Sequence, residues 1–293
     1  MLALDSLPEP KRQLLRQVAA QVSQIPGVEA VVLGGSYARG MQHADSDLDV
    51  GLCYQEERPF PVADIRRVAA ALSTRGTPVV TDFYEWGPWV NGGAWIHTEI
   101  TKVDLLYRNL DQVERTIREA SEGVVQFDYL QQPPYGFPSV IYLAEIHACV
   151  PLHDPHGRVA RLKEQVAVYP PKLKARLVQD FLWLAEFTLL YARGFAAVSD
   201  IYNTAGCLTR VAMCLTQALF ALNERYFITD KTALAEMAAF PLAPPSYSEE
   251  LARILSHPGA TTGELCASVH ALTALWQSVV ALAGGLYQPR FAL

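Results

Sequence analysis

Hydrophobic spacing changes partway along the chain. Up to about residue 120, short alternating runs are mixed with helical ones. In roughly the last 150 residues apolar positions recur every three to four places, as at Leu182, Ala185, Leu189 and Ala192, the stripe that helix-on-helix packing needs. The pattern predicts a helix over 9–25 and a short buried strand from Val28 to Leu33 ending at Gly34-Gly35. A brief helix capped by Ser36 then runs through Met41. Residues 46–52 alternate strictly, so that Leu48, Val50 and Leu52 face one way while Asp47 and Asp49 face the other. A helix is expected at 61–74, strands at 78–86 and 95–107 on either side of the loop 87–93, and a helix at 110–121 that Gly123 ends.

Pro133, Pro134 and Pro138 fall within eight residues, 131–138, which excludes a helix interior or a central strand and marks the expected domain join. Residues 1–130 then form one domain and 131–293 a second, with helices at about 138–149, 158–167, 171–193, 203–225, 230–239, 247–256 and 262–285. The expected fold class is α+β, a small mixed β-sheet with flanking helices followed by an all-α bundle. Segment 270–287 approaches the length of a bilayer span. It contains Gln277, Ser278, Gly284 and Gly285, and reads as a buried bundle helix; no membrane association is expected.

Composition narrows the function. A chain of 293 residues, 51% hydrophobic and 18% charged, can bury one or two ordinary cores. Twenty-four basic against thirty acidic residues leave a net charge of −6, without the positive field that long stretches of nucleic-acid phosphate demand. The five cysteines (Cys53, Cys149, Cys207, Cys214, Cys266) form no C-x-x-C pair and read as buried thiols. Acidic Asp5 and Glu9 stand where an export signal would be basic, so a cytoplasmic location is expected.

The chemistry concentrates in residues 34–50. There a glycine turn at a helix start is followed by two carboxylates on one strand face. Free N–H groups and the helix dipole make such a start an anion site, and Gly34 and Gly35 admit a phosphate without a Cβ in the way. Asp47 and Asp49 would repel unless cations lay between them, and hard carboxylate oxygens suit magnesium. Asp104, flanked by apolar neighbours in Lys102-Val103-Asp104-Leu105-Leu106, supplies a third carboxylate if strands 46–52 and 95–107 are adjacent.

Gly35-Ser36, ten intervening residues, Asp47-Leu48-Asp49-Val50-Gly51 and the later Val103-Asp104-Leu105 resemble the signature of the polymerase-beta-like nucleotidyltransferase superfamily. The spellings Gly-Ser-Tyr-Ala-Arg-Gly at 35–40 and Ser-Asp-Leu-Asp at 46–49 are similar to its small bacterial branch. That branch holds aminoglycoside and lincosamide nucleotidyltransferases and minimal antitoxin nucleotidyltransferases. The resemblance implies transfer of a nucleoside monophosphate, AMP from ATP by family habit, to an acceptor hydroxyl, with pyrophosphate leaving. It implies two Mg2+ ions held by Asp47, Asp49 and Asp104, with Asp104 nearest the attacking hydroxyl. Gly35 and Ser36 would bind the β- and γ-phosphates, and Arg39 would be a nearby charge partner.

From the second domain, Glu145 is a candidate general base and Lys231 a candidate triphosphate contact, each set against an ordinary surface role. Trp86, Trp89 and Trp95 border the glycine loop and are candidates for stacking a base or a sugar-like acceptor, set against a core role. His153-Asp154-Pro155-His156 reads as turn chemistry. The leading expectation is an NTP and a hydroxyl-bearing small molecule meeting between the two domains, in a chain able to form a homodimer as some antibiotic enzymes do. A protein-modifying or antitoxin-type enzyme and a nucleotide-binding regulator without turnover are the alternatives. Minimal antitoxins lack 150 extra helical residues, and RNA tailing fits the acidic balance least.

Overall fold

The alternation of residues 46–52 has its structural counterpart in a sheet with one face buried. The computed structural model describes Leu4 and residues 7–293. In it strand β2 (Leu48–Tyr54) follows helix α1 (Glu9–Val22), strand β1 (Ala30–Leu33) and helix α2 (Gly35–Arg39). Leu48, Val50 and Leu52 are fully buried and cluster with Leu15 and Val18 of α1 and with Ile65 and Ala69 of helix α3 (Val62–Leu72). Each such aliphatic side chain contributes roughly 1.5–3 kcal/mol over remaining exposed.

Strands β3 (Val79–Val80), β4 (Gly93–His97) and β5 (Lys102–Asn109) complete most of a six-stranded sheet, and β8 (Val150–His153) closes its far edge. The order is β3-β4-β5-β2-β1-β8. Within it β2 and β5 run parallel, and the other neighbours are antiparallel. The adjacency of residues 46–52 and 95–107 is therefore present, with Asp49 directly opposite Asp104.

Two strand expectations differ in detail. The run 95–107 is two strands, because Thr98 folds it back: its hydroxyl donates to the Thr101 carbonyl at 2.7 Å and accepts the Thr101 amide at 3.1 Å. The run 78–86 keeps only Val79–Val80 as strand.

The expected join at 131–138 lies inside the first compact unit, which comprises the residues through Arg118 together with Gln126–Val168. The boundary thus stands near residue 168 instead of 130. Strand β6 (Phe127–Asp128) pairs with β7 (Phe137–Pro138) across the proline segment. Buried Gln131 ties that segment down, accepting the Trp89 amide and donating to the Trp86 carbonyl, both at 2.6 Å. Helix α5 (Ile141–Ala148) then leads to β8, whose Pro151 is tolerated because the strand is an edge. Helix α4 (Leu110–Ser121) and helix α6 (Arg158–Gln165) are linked by Arg158, which bonds Asp111 at 2.5 Å and Glu114 at 2.9 Å.

The second unit, Glu119–Val125 with Tyr169–Leu293, is helical as expected. It holds α7 (Pro171–Ala197), α8 (Ile201–Leu222), α9 (Asp230–Met237), α10 (Tyr247–Ser256) and α11 (Thr262–Leu282). Asp200 caps α8, and Thr261 with Glu264 forms a capping box on α11. Helices α8 and α11 are long and apolar enough to cross a membrane, and 61% and 39% of their apolar windows lie buried within the structure. Trp276 of α11 donates its indole N–H to the Leu182 carbonyl of α7 at 3.1 Å. Cys53, Cys149 and Cys214 are buried; Cys207 is half-buried and Cys266 is exposed, which corrects the uniform expectation for the thiols.

Gln131→Ala should cost about 1–3 kcal/mol in urea unfolding, because it strands the Trp89 amide and the Trp86 carbonyl without partners. A loss below about 0.5 kcal/mol would show that the proline segment is held by its aromatic contacts alone.

Candidate active site

The sheet face opposite α1 and α3 carries a row that crosses four strands. At the end of β1 the Gly34 amide donates to the Asp49 carbonyl at 2.8 Å. Asp49 stands opposite Asp104, and Asp104 opposite Trp95 on β4. Cross-strand partners share a face, so glycine turn, two carboxylates and an indole follow one another in line. The neighbouring row brings Asp47 and His97 to either side of Lys102.

Gly35 is required twice over. Its φ of +61° is a left-handed conformation, and a Cβ there would lie 1.7 Å from Asp49 Oδ2 and 2.5 Å from its Cγ. The Asp49 carboxylate thus rests where any other residue would put a side chain. Ser36 is in the first turn of α2; its carbonyl accepts the Met41 amide at 3.0 Å. Arg39 is in the last turn, which Gly40 ends at φ +68°. The glycine turn and helix start therefore abut the second carboxylate of the Ser-Asp-Leu-Asp run, as the spacing implied.

The electrostatics centre on Lys102. Its Nζ is 2.8 Å from Asp104 Oδ2 and 3.8 Å from Asp47 Oδ2, and lies 5.5 Å from the centroid of the Trp95 ring. Burial raises the Asp104 carboxyl above its usual range, Lys102 opposes that shift, and the Asp47 charge adds to it. Asp104 Oδ1 is buried without a hydrogen-bond partner. Among the described residues no three His, Cys, Asp or Glu side chains close into a metal-binding group; the Lys102 ammonium stands between two of the carboxylates instead. Hard oxygen donors, an orphaned buried carboxylate oxygen and a glycine that leaves room only for Asp49 fit a divalent cation on this face.

Lys102 was not singled out from the sequence, although its place was readable: two residues before Asp104 on a strand, it must share that residue's face. Among the tryptophans, Trp95 is 43% exposed and stacks on Trp86 with ring centroids 5.1 Å apart. Trp89 is core, buried against Phe137 and Tyr142.

Glu145 is not brought to this row. Both its oxygens accept from the Arg108 guanidinium at 2.7 Å, and Arg108 is four residues beyond Asp104 on β5, about 13 Å along the strand. Glu145 is thus held in a fork by a buried arginine, away from the row of aspartates. It also belongs to the first unit, not the second. Lys231 lies in the second unit at the start of α9, where its amide donates to the Thr229 hydroxyl at 3.3 Å. The His153–His156 segment is a turn: Asp154 accepts the Gly157 amide through its carbonyl and caps α6 through its carboxylate.

Residues 15–119 match the family model described as a nucleotidyltransferase domain, and residues 139–231 match a domain of unknown function (DUF4037). No curated protein matches the chain in sequence. Similar solved structures include a nucleotidyltransferase-like protein from Exiguobacterium sibiricum, 10% identical over 94% of this chain and 76% of that one, with a TM-score of 0.45. Another is an aminoglycoside 6-adenyltransferase from Bacillus subtilis, 14% identical over 97% and 94% of the two chains, with a TM-score of 0.36.

Gly35→Ala should displace the Asp49 carboxylate while leaving far-ultraviolet circular dichroism unchanged. Manganese binding followed by electron paramagnetic resonance is expected to weaken at least ~10-fold, about 1.4 kcal/mol. Wild-type affinity in this variant would separate Asp49 from any cation site.

Proposed function

We propose that this chain, whose residues 15–119 match a nucleotidyltransferase domain and whose motifs resemble the polymerase-beta-like superfamily, is a magnesium-dependent enzyme. It moves AMP from ATP to a hydroxyl of a small-molecule acceptor and releases pyrophosphate. The observation that carries this reading is the cross-strand pairing of Asp49 with Asp104 beside the glycine turn. Asp47, Asp49 and Asp104 would hold the cation. Magnesium, when bound, polarises the phosphoryl group and stabilises charge on the departing oxygen.

The order of the row assigns sides to the reaction. Phosphates held by the Gly35 and Ser36 amides lie on the β1 side of Asp49. In an in-line displacement the attacking hydroxyl enters opposite the leaving group, hence from the β5–β4 side, where Asp104 and Trp95 stand. Asp104 stands on the side from which the hydroxyl would enter, and would be the carboxylate placed to take its proton. With both Glu145 oxygens engaged by Arg108, no part of that step falls to Glu145. Lys102 offsets the repulsion between Asp47 and Asp104, and would yield Asp104 Oδ2 to a cation held by the aspartates.

The test is metal-dependent pyrophosphate release from ATP across a panel of amino-sugar and other polyhydroxyl acceptors. Asp47→Ala and Asp49→Ala should each lower kcat/KM by at least ~100-fold, about 2.7 kcal/mol of transition-state stabilisation, with the fold retained. Asp104→Asn should lower kcat more than it weakens ATP binding. Full turnover in either alanine variant would end the metal-site reading, and an unchanged rate in Asp104→Asn would remove Asp104 from the proton transfer.

A further inference from the structure

Two of the three aspartates stand on paired strands, and the third does not. Asp49 and Asp104 face each other across the β2–β5 ladder, whose first partners are Leu48 and Val103. Asp47 precedes that ladder, at the end of a segment, 41–47, that is neither helix nor strand. The backbone pairing that fixes two of the carboxylates therefore leaves the place of Asp47 to other contacts.

Those contacts converge on Ser46. Lys11 of α1 reaches across and donates from Nζ to the Ser46 carbonyl at 2.7 Å and to the Ala44 carbonyl at 3.0 Å. Ser46 is buried; its hydroxyl accepts the His43 amide at 2.9 Å and its amide donates to the His43 carbonyl at 3.0 Å, which closes a turn over 43–46. The Ser46 carbonyl belongs to the peptide group that begins Asp47, so the lysine grips the backbone immediately ahead of the carboxylate. The same Nζ lies 5.5 Å from the centroid of the Tyr37 ring, buried in α2 next to Ser36. One side chain thus joins α1, the helix after the glycine turn and the segment that carries Asp47.

The placement is electrostatically unfavourable in itself. Lys11 is 8% exposed and stands in the first turn of α1, where the helix dipole favours an acid. Its acceptors are two backbone carbonyls and a ring face. A methionine would fill the same space without desolvating a charge. What the ammonium supplies in return is a pair of charge-assisted hydrogen bonds, the strong kind, onto the approach to Asp47.

We propose that Lys11 is a positioning residue of the cation site: through the Ser46 carbonyl it sets where Asp47 stands relative to Asp49 and Asp104. This rests on the reading of Asp47 as a cation ligand, and adds what keeps that ligand in place where no strand pairing does.

Manganese binding followed by electron paramagnetic resonance, on the full chain, tests it in a double-mutant cycle. Lys11→Met keeps most of the stem and removes the donors, and should weaken manganese binding about 10-fold with far-ultraviolet circular dichroism unchanged. Asp47→Ala should weaken it at least as much. In the Asp47→Ala background Lys11→Met should add less than ~2-fold, because the residue it positions is gone. A lysine that only supports the fold would lower affinity by the same factor in both backgrounds, and that result would overturn the proposal. So would wild-type affinity in Lys11→Met beside weak binding in Asp47→Ala, which would leave Asp47 a ligand held by other means. Wild-type affinity in Asp47→Ala would overturn the ligand reading and the positioning role together. Should Lys11→Met fail to fold, Lys11→Gln takes its place in the cycle with the same comparisons; its amide stays polar at the buried position but ends one atom short of the two carbonyls.

Discussion

The structure depends most on the register of one parallel strand pair. Aligning β2 with β5 residue for residue puts Leu48, Val50 and Leu52 beside Val103, Leu105 and Tyr107 on the buried face. The same alignment necessarily puts Asp49 beside Asp104 on the other. A slip of one residue in either strand would drive that strand's carboxylate into the core and turn its apolar side chains outward, so the hydrophobic effect that forms the sheet also fixes where the carboxylates stand. The glycine turn is locked to that register from the other side, since the Gly34 amide holds the Asp49 carbonyl and Gly35 leaves space for the carboxylate. Stability and site are two readings of one alignment.

What could be read from the sequence follows from this. Strict alternation at 46–52 and apolar flanks around Asp104 are period-two signals, which are unambiguous for a sheet covered on one face, and they carried the three aspartates and the glycine turn. Helix periodicity carried the second unit. Residues 131–138 read as a domain join because proline density reports only the backbone conformations that are excluded. It does not report side-chain anchors such as Gln131, nor that Val150–His153 adds an edge strand to a sheet built more than a hundred residues earlier. Non-local pairing leaves little local trace. The Glu145 ion pair is hidden for the same reason: its partner Arg108 is 37 residues away, and nothing in the helix around it names that arginine.

Strand β5 shows how burial divides one face into two kinds of polar group. Asp104 and Arg108 point the same way on the same strand. Arg108 is 9% exposed and closed off by a fork to Glu145, by the Val90 and Tyr107 carbonyls, and by the Tyr142 ring. Four of its five N–H donors are engaged, and a group so held serves chiefly to fasten α5 and the Val90 loop to the sheet. Asp104, with one oxygen on Lys102 and the other buried without a partner, keeps unspent bonding capacity. Unsatisfied polar atoms are costly in a folded protein and persist where function uses them.

That contrast also explains why Lys102 belongs at the site. Asp104 is partly desolvated and Asp47 lies close enough to raise its pKa further. Without a cation the pair would either take up a proton or push apart, and the β2–β5 register prevents the second. A lysine two residues upstream on the same face supplies a mobile positive charge on a flexible stem, and it can rest against the Trp95 ring while it does so. An arginine in its place would grip the carboxylate in a planar fork, as Arg108 grips Glu145, and would hold Asp104 for structure instead of chemistry. Lysine near the start of β5 and arginine near its end thus separate a loosely paired carboxylate, Asp104, from a tightly forked one, Glu145.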